Sequence, residues 1–167
     1  GSFTIAGDQL QTAASFDFES KSSYSIRVRS TDPGGLWTEE AFTISVIPVL
    51  QGTAEDDVFE FVAGPPGSWT VNLNGVAYYF GPEAKGLKFN GLESEDTAII
   101  TGTNSAETFE LWPSTGLCTL DGCILSVLSV EKIEAYSGGG SDTASLHDDP
   151  LGDDVFTAWP ETARFEG

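Results

Sequence analysis

The chain has 167 residues, 40% of them hydrophobic, with 26 acidic and 7 basic side chains and a net charge of −19. That surface repels nucleic acid and anionic membranes and attracts cations, while the apolar content is enough for a core and excludes a disordered acidic tail. No run of 18 apolar residues occurs, so no helical membrane span is expected.

The first 47 residues read as strands. Tyr24, Ile26 and Val28 alternate with Ser25, Arg27 and Arg29, and Phe42, Ile44 and Val46 alternate with Thr43, Ser45 and Ile47. This period of two marks half-buried strands. Thr31-Asp32-Pro33-Gly34-Gly35 between them is a turn by composition. Pro48 breaks the pattern, which places a domain boundary at about residue 50. Beyond it Trp69, Val71 and Leu73 alternate with Thr70, Asn72 and Asn74, then Asn74-Gly75 introduces Val76 to Phe80. Asn-Gly between alternating runs predicts a hairpin, because both residues tolerate positive φ. Asp121-Gly122 predicts a second one. Leu87 with Phe89, and Ile133 with Ala135, are further short strands. Residues 124–135 come closest to a helical period, but their Val, Ile and Ser content suits strands. The chain is expected to be all-β.

One unit recurs in the second part. It opens on Gly52-Thr53 and Gly102-Thr103, and an acidic step with an aromatic follows at Asp57-Val58-Phe59, Glu107-Thr108-Phe109 and Asp154-Val155-Phe156. It closes on Asp96-Thr97-Ala98 and Asp142-Thr143-Ala144. Phe59 to Phe109 is 50 residues and Phe109 to Phe156 is 47. Landmarks in one order at matched spacing point to stacked structural units. The third copy stops at Phe165-Glu166-Gly167, where the turn glycine would fall, and reads as an excised edge. The expected organisation is residues 1–50, then a repetitive β region over 51–167, with copies at about 51–100 and 101–147 and a partial one at 148–167. A parallel β-solenoid is one arrangement such a region adopts.

Cys118 and Cys123 flank the Asp121-Gly122 turn and stand where Val71 and Val76 stand in the sister copy. A two-residue turn sets Leu120 opposite Cys123 and Cys118 opposite Leu125, so the cysteines are diagonal neighbours. Their Cα atoms would be about 7–8 Å apart, against a disulfide span of about 4.4–6.8 Å. A bridge requires a wider loop, and two small buried residues are the other reading.

Residues 1–47 carry four elements in order: Phe3-Thr-Ile-Ala-Gly-Asp-Gln-Leu10, Phe16-Asp17-Phe18-Glu19, Tyr24 through Gly35, and Phe42-Thr-Ile-Ser-Val46. In that order they resemble the C-terminal half of a cadherin-like domain, a β-sandwich. The resemblance implies Ca²⁺ ligands at Asp17, Glu19 and Asp32, matched to the family's Leu-Asp-x-Glu and Asp-x-Asp elements. Ser30 replaces the first aspartate of Asp-x-Asp, and Ile47-Pro48-Val49-Leu50-Gln51 replaces the acidic linker. The later region is similar to repeats of large secreted or surface bacterial proteins. Gly138-Gly139-Gly140-Ser141-Asp142 approaches, once, the Gly/Asp-rich calcium repeats of secreted toxins.

The turn aspartates form a second candidate set: Asp56, Asp57, Asp96, Asp142, Asp153 and Asp154. Stacked in register they would line one edge and hold Ca²⁺, a cation that takes six to eight oxygens. The alternative is that each caps its own turn. No enzyme signature is present. His147 is the only histidine, no Gly-x-Ser-x-Gly elbow occurs, and no glycine-rich loop precedes a lysine. The expected role is a non-enzymatic structural or adhesive segment of a large extracellular or cell-surface protein. It would associate with Ca²⁺ and with other domains of the same chain, a cell-surface protein or a glycan. The alternatives are a carbohydrate-binding module with Trp69, Trp112 and Trp159 as stacking platforms, and a β-solenoid polysaccharide lyase or hydrolase.

Overall fold

The computed structural model describes residues 2–65 and 67–148, and the backbone of two later strands, Val155–Trp159 and Thr162–Glu166. The chain is all-β. Among the described residues no helix is long and apolar enough to cross a membrane. It divides into two compact units, Gly1–Val46 and Ile47–Gly167.

The first unit holds β1 (Phe3–Ala6), β2 (Gln9–Thr12), β3 (Ser23–Thr31) and β4 (Trp37–Ser45). β1 pairs antiparallel with β2, and β3 with β4. The β3–β4 turn closes where Leu36 N donates to Asp32 Oδ1 (2.9 Å) and Gly35 takes a φ of +86°. Its apolar centre is a triad in which Phe16 lies 5.1 Å from Phe3 and 4.9 Å from Tyr24. None of its described residues is fully buried.

The second unit contains β5 (Val49–Gln51), β6 (Val58–Ala63), β7 (Trp69–Leu73), β8 (Val76–Phe80), β9 (Gly86–Asn90) and β10 (Thr97–Thr101). Next come β11 (Thr108–Trp112), β12 (Thr115–Leu120), β13 (Cys123–Leu128), β14 (Lys132–Tyr136), β15 (Thr143–Leu146), β16 (Val155–Trp159) and β17 (Thr162–Glu166). One sheet runs β16-β17-β14-β10-β6-β7-β8 and the other β15-β11-β12-β13-β9-β5. Inward positions alternate along the strands, as in Phe59 and Phe61, Leu87 and Phe89, Ile100, Leu111, Leu125 and Val127, all at most 1% exposed. Phe59 of the first sheet stacks on Phe89 of the second at 4.4 Å, so the two inner faces meet there. Each such side chain stabilises the fold by about 1.5–3 kcal/mol.

The route between sheets follows a rule. β6, β7 and β8 form an antiparallel meander in the first sheet. β9 crosses to the second, and β10 returns to pair parallel with β6. The next set repeats the route with the sheets exchanged. β11, β12 and β13 form the meander in the second sheet, β14 crosses to the first, and β15 returns to pair parallel with β11. β16 and β17 are back in the first sheet. Two parallel seams result, β5-β9-β13 and β6-β10-β14.

Both predicted hairpins are present. Asn74 and Gly75 have φ of 52° and 83°, Asp121 and Gly122 of 44° and 81°, the paired positive values of a type I′ turn. The segment nearest a helical period is two strands, β13 and β14, whose side chains alternate between buried and less buried positions.

Candidate functional site

Among the described residues four corners of one design carry the chain from strand to strand: residues 52–57, 91–96, 102–107 and 137–142. Each starts at Gly52, Gly91, Gly102 or Ser137 and ends five residues later on a carboxylate, Asp57, Asp96, Glu107 or Asp142. The glycine N–H reaches across to the next strand layer: Gly52 to Asn90 O (2.9 Å), Gly91 to Leu128 O (2.9 Å) and Gly102 to Tyr136 O (2.7 Å). A β-carbon on any of these glycines would fall under 3.0 Å from both a carboxylate oxygen of its own corner and a carbonyl oxygen of the neighbouring one. The Gly138-Gly139-Gly140 run has the same cause. β-Carbons there would strike Thr103 O, Asn104 Oδ1 and Ser105 O, so the glycines let one corner lie flat against the next.

The corner carboxylates form a relay. Asp57 N donates to Asp96 Oδ1 (2.8 Å), and Asp96 N to Glu131 Oε2 (2.8 Å). In the second set Glu107 N donates to Asp142 Oδ1 (3.0 Å), the bond that Asp57 makes to Asp96. Asp57 also closes its own corner, accepting from Thr53 N (2.6 Å) on Oδ2 and from Asn74 Nδ2 on Oδ1. Glu107 accepts from Thr103 N (2.8 Å) and Thr103 Oγ1 (2.6 Å). Asp57, Asp96 and Glu107 are each 1% exposed, and two of their oxygens, Asp96 Oδ2 and Glu107 Oε2, have no hydrogen-bond partner. Burial pushes the Asp96 carboxyl above the usual range. The Asp57 N–H opposes this, and the charges of Asp57, Glu131 and Asp56 add to it.

The structure thus brings Asp57 to Asp96, and separately pairs Asp142 with Glu107 in the second set. Asp56 lies outside the relay, exposed, and accepts from Glu95 N (3.2 Å). In the first unit Asp17 accepts from Ser20 Oγ (2.6 Å) and Glu19 N (3.1 Å), which lower its carboxyl below the ordinary value. Asp32 holds Leu36 N, and Glu19 is exposed beside Asp17. Among the described residues no three acidic, histidine or cysteine side chains assemble into a metal-ligating group. Asp153, Asp154 and the Trp159 side chain lie outside the described residues. Glu107 and Glu131 are relay members outside the set of candidate aspartates. The five-residue step from Gly102, identical to that from Gly52, is the signal for Glu107.

Trp69 is 5% exposed and part of the core, 6.4 Å from Phe61, so it offers no stacking platform. Trp112 is half-buried, its ring stacked on His147 at 4.5 Å and 9°. Cys118 faces Leu125 and Cys123 faces Leu120, the diagonal arrangement expected of a two-residue turn, and both thiols are free. Burial pushes both thiols up to about 12. Neither thiol should react with iodoacetamide at pH 8 until denaturant is added, when both should alkylate, as mass spectrometry would show. Labelling of the folded chain would contradict this.

No known family model, curated protein or solved structure matches the chain.

Proposed function

We propose that this is a non-enzymatic structural and adhesive segment of a large extracellular or cell-surface protein. It would comprise a cadherin-like part over the first unit and stacked, β-solenoid-like units after it. The carboxylate relay is the observation that carries this reading. Side chains of the type used in catalysis or in metal binding serve here to tie one corner to the next through backbone N–H groups. The same bond recurs between Asp57 and Asp96 and between Glu107 and Asp142. A chain built this way extends by adding units, and what it offers a partner is surface.

The inward carboxylates do not suit Ca²⁺. Both Asp57 oxygens hold N–H groups, and those of Asp96 are sealed from water. The outward face of the same corners suits it better. Glu55, Asp56, Glu93 and Glu95 are all exposed on two corners joined by the Glu95–Asp56 bond, and the chain carries −19. Ca²⁺ gathered there as a counter-ion, not in a ligand cage, would stiffen the stack by relieving like-charge repulsion.

Thermal melting in millimolar Ca²⁺ and in chelator tests this. A ligand of the folded state at 100-fold over its Kd adds about 2.7 kcal/mol, a rise of several degrees for a chain of this size. Coincident melts would remove the calcium part of the reading.

A further inference from the structure

We propose that the outward face of the first sheet, across strands β8, β7, β6 and β10, is a binding site for a neutral oligosaccharide. This names a partner for the adhesive segment and rests on that reading only for its biological setting.

The site follows from register. Tyr79 pairs with Thr70, and Thr70 with Val62. In the next row Asn72 pairs with Glu60, and Glu60 with Ile99. Residues two apart on paired strands share a face, so these six lie together and line a shallow groove of about 320 Å³. Strands about 4.8 Å apart give the four-strand width a length of roughly 14 Å and the two rows a breadth of roughly 7 Å. That is a footprint for a short run of sugar rings rather than for a metabolite.

The chemistry selects the occupant. Tyr79 is 80% exposed, the most exposed large hydrophobic side chain among those described. Its ring face carries the negative part of its quadrupole, which attracts the polarised C–H face of a pyranose. Two strands away, in the next row, Glu60 supplies a carboxylate that accepts from hydroxyls. Asn72 receives Gly75 N on Oδ1 (2.7 Å), leaving its amide N–H₂ as donors. Among the described residues that line the groove Glu60 is the only charge, and none is a cation. Uronates, sulfated glycans and acidic peptides are therefore repelled, and a ligand rich in hydroxyls but without charge is favoured. The second sheet does not repeat the set. Its corresponding rows read Glu110, Leu117, Ser126 and Trp112, Thr115, Leu128, with neither the asparagine nor the exposed tyrosine.

The test is calorimetric titration of the whole chain with cellohexaose, mannohexaose and chitohexaose, with polygalacturonate as the anionic comparison. At least one neutral oligosaccharide should bind at one site per chain. Tyr79→Ala should weaken it at least tenfold and Glu60→Gln several-fold, while Ser126→Ala on the other sheet leaves it unchanged. Tyr79 is exposed, so the variant should fold, and an unaltered melt would verify that. The proposal is overturned if no neutral oligosaccharide binds at millimolar concentration, if polygalacturonate binds as well as they do, or if Tyr79→Ala binds like the parent. A chain that melts higher in Ca²⁺ yet ignores every oligosaccharide would lose this site and keep the calcium-stiffened segment. Binding without a calcium effect would do the reverse.

Discussion

Asp96→Asn should stabilise the folded chain at neutral pH, while Asp57→Asn should destabilise it. The two carboxylates are equally buried, and the backbone N–H of Asp57 donates to Asp96 Oδ1, yet their surroundings are opposite. Asp57 receives donors on both oxygens, from Thr53 N and from Asn74 Nδ2. An asparagine must turn its N–H₂ toward one of them and leave it unsatisfied, at a cost of roughly 1–3 kcal/mol. Asp96 receives a donor on Oδ1 only. Its Oδ2 is unpartnered and crowds the Gly91 α-carbon from the same side as the Ser129 carbonyl oxygen. An amide nitrogen in the Oδ2 position puts a donor on the side of the corner where the Ser129 carbonyl oxygen lies, keeps the bond from Asp57 N and removes a buried charge. A gain of about 1–3 kcal/mol is expected. The pH dependence follows from the raised Asp96 carboxyl. Its charged form is the one penalised in the folded state, so the penalty is present above the folded pKa. It is relieved as pH falls through that value toward the unfolded value of 3.8. The advantage of Asp96→Asn should therefore be full at pH 7 and shrink as pH is lowered. Urea unfolding of both variants at pH 7 and pH 5 checks this, and shifts of the same sign would refute the assigned geometry.

Gly91→Ala should unfold the second unit or leave it barely stable. The added methyl would sit under 3.0 Å from Asp96 Oδ2 and from the Ser129 carbonyl oxygen, and the second is backbone that cannot swing aside. Overpacking costs about 1–3 kcal/mol in ordinary cores and more where the obstacle is fixed. Here it would also break the Gly91–Leu128 bond that sets the corner. Gly122→Ala is the comparison. It has open space around it and a φ of +81°, so only backbone strain of about 1–2 kcal/mol applies. Denaturant midpoints of the two variants should rank with Gly91→Ala far the lower, and equal midpoints would show that the corner is not packed as described.

Much of this architecture is legible in residue order because it is local. Asn74-Gly75 and Asp121-Gly122 announce their hairpins through the positive φ they tolerate, and alternation along β6, β7 and β13 separates core from surface. What alternation does not reveal is which sheet a strand joins, because both sheets bury the same kind of side chain. The exchange of sheets between the β6 and β11 meanders is a matter of chain direction at the corners. Copy alignment also misleads where loops differ. Cys123 is fully buried, while Val76 at the matched sequence position is 56% exposed. The shorter β11–β12 connection sets Phe109 opposite Cys118, where Phe59 faces Leu73. The aspartates were visible as a periodic set, but their direction was not. Asp57 and Asp96 turn inward because corner N–H groups removed from water need acceptors. Asp56, one residue away, stays outside.

Because successive meanders occupy alternate sheets, the number of strand sets has a parity. The β6–β8 and β16–β17 meanders share a sheet, and the β11–β13 meander between them does not. A chain gaining or losing one set would carry whatever follows to the opposite face of the stack. Gaining or losing two would restore it. Length variation in steps of one set is thus a switch of orientation as well as of reach. A surface feature tied to one set, such as Tyr79 on the first sheet, would face alternately up and down along an extended array.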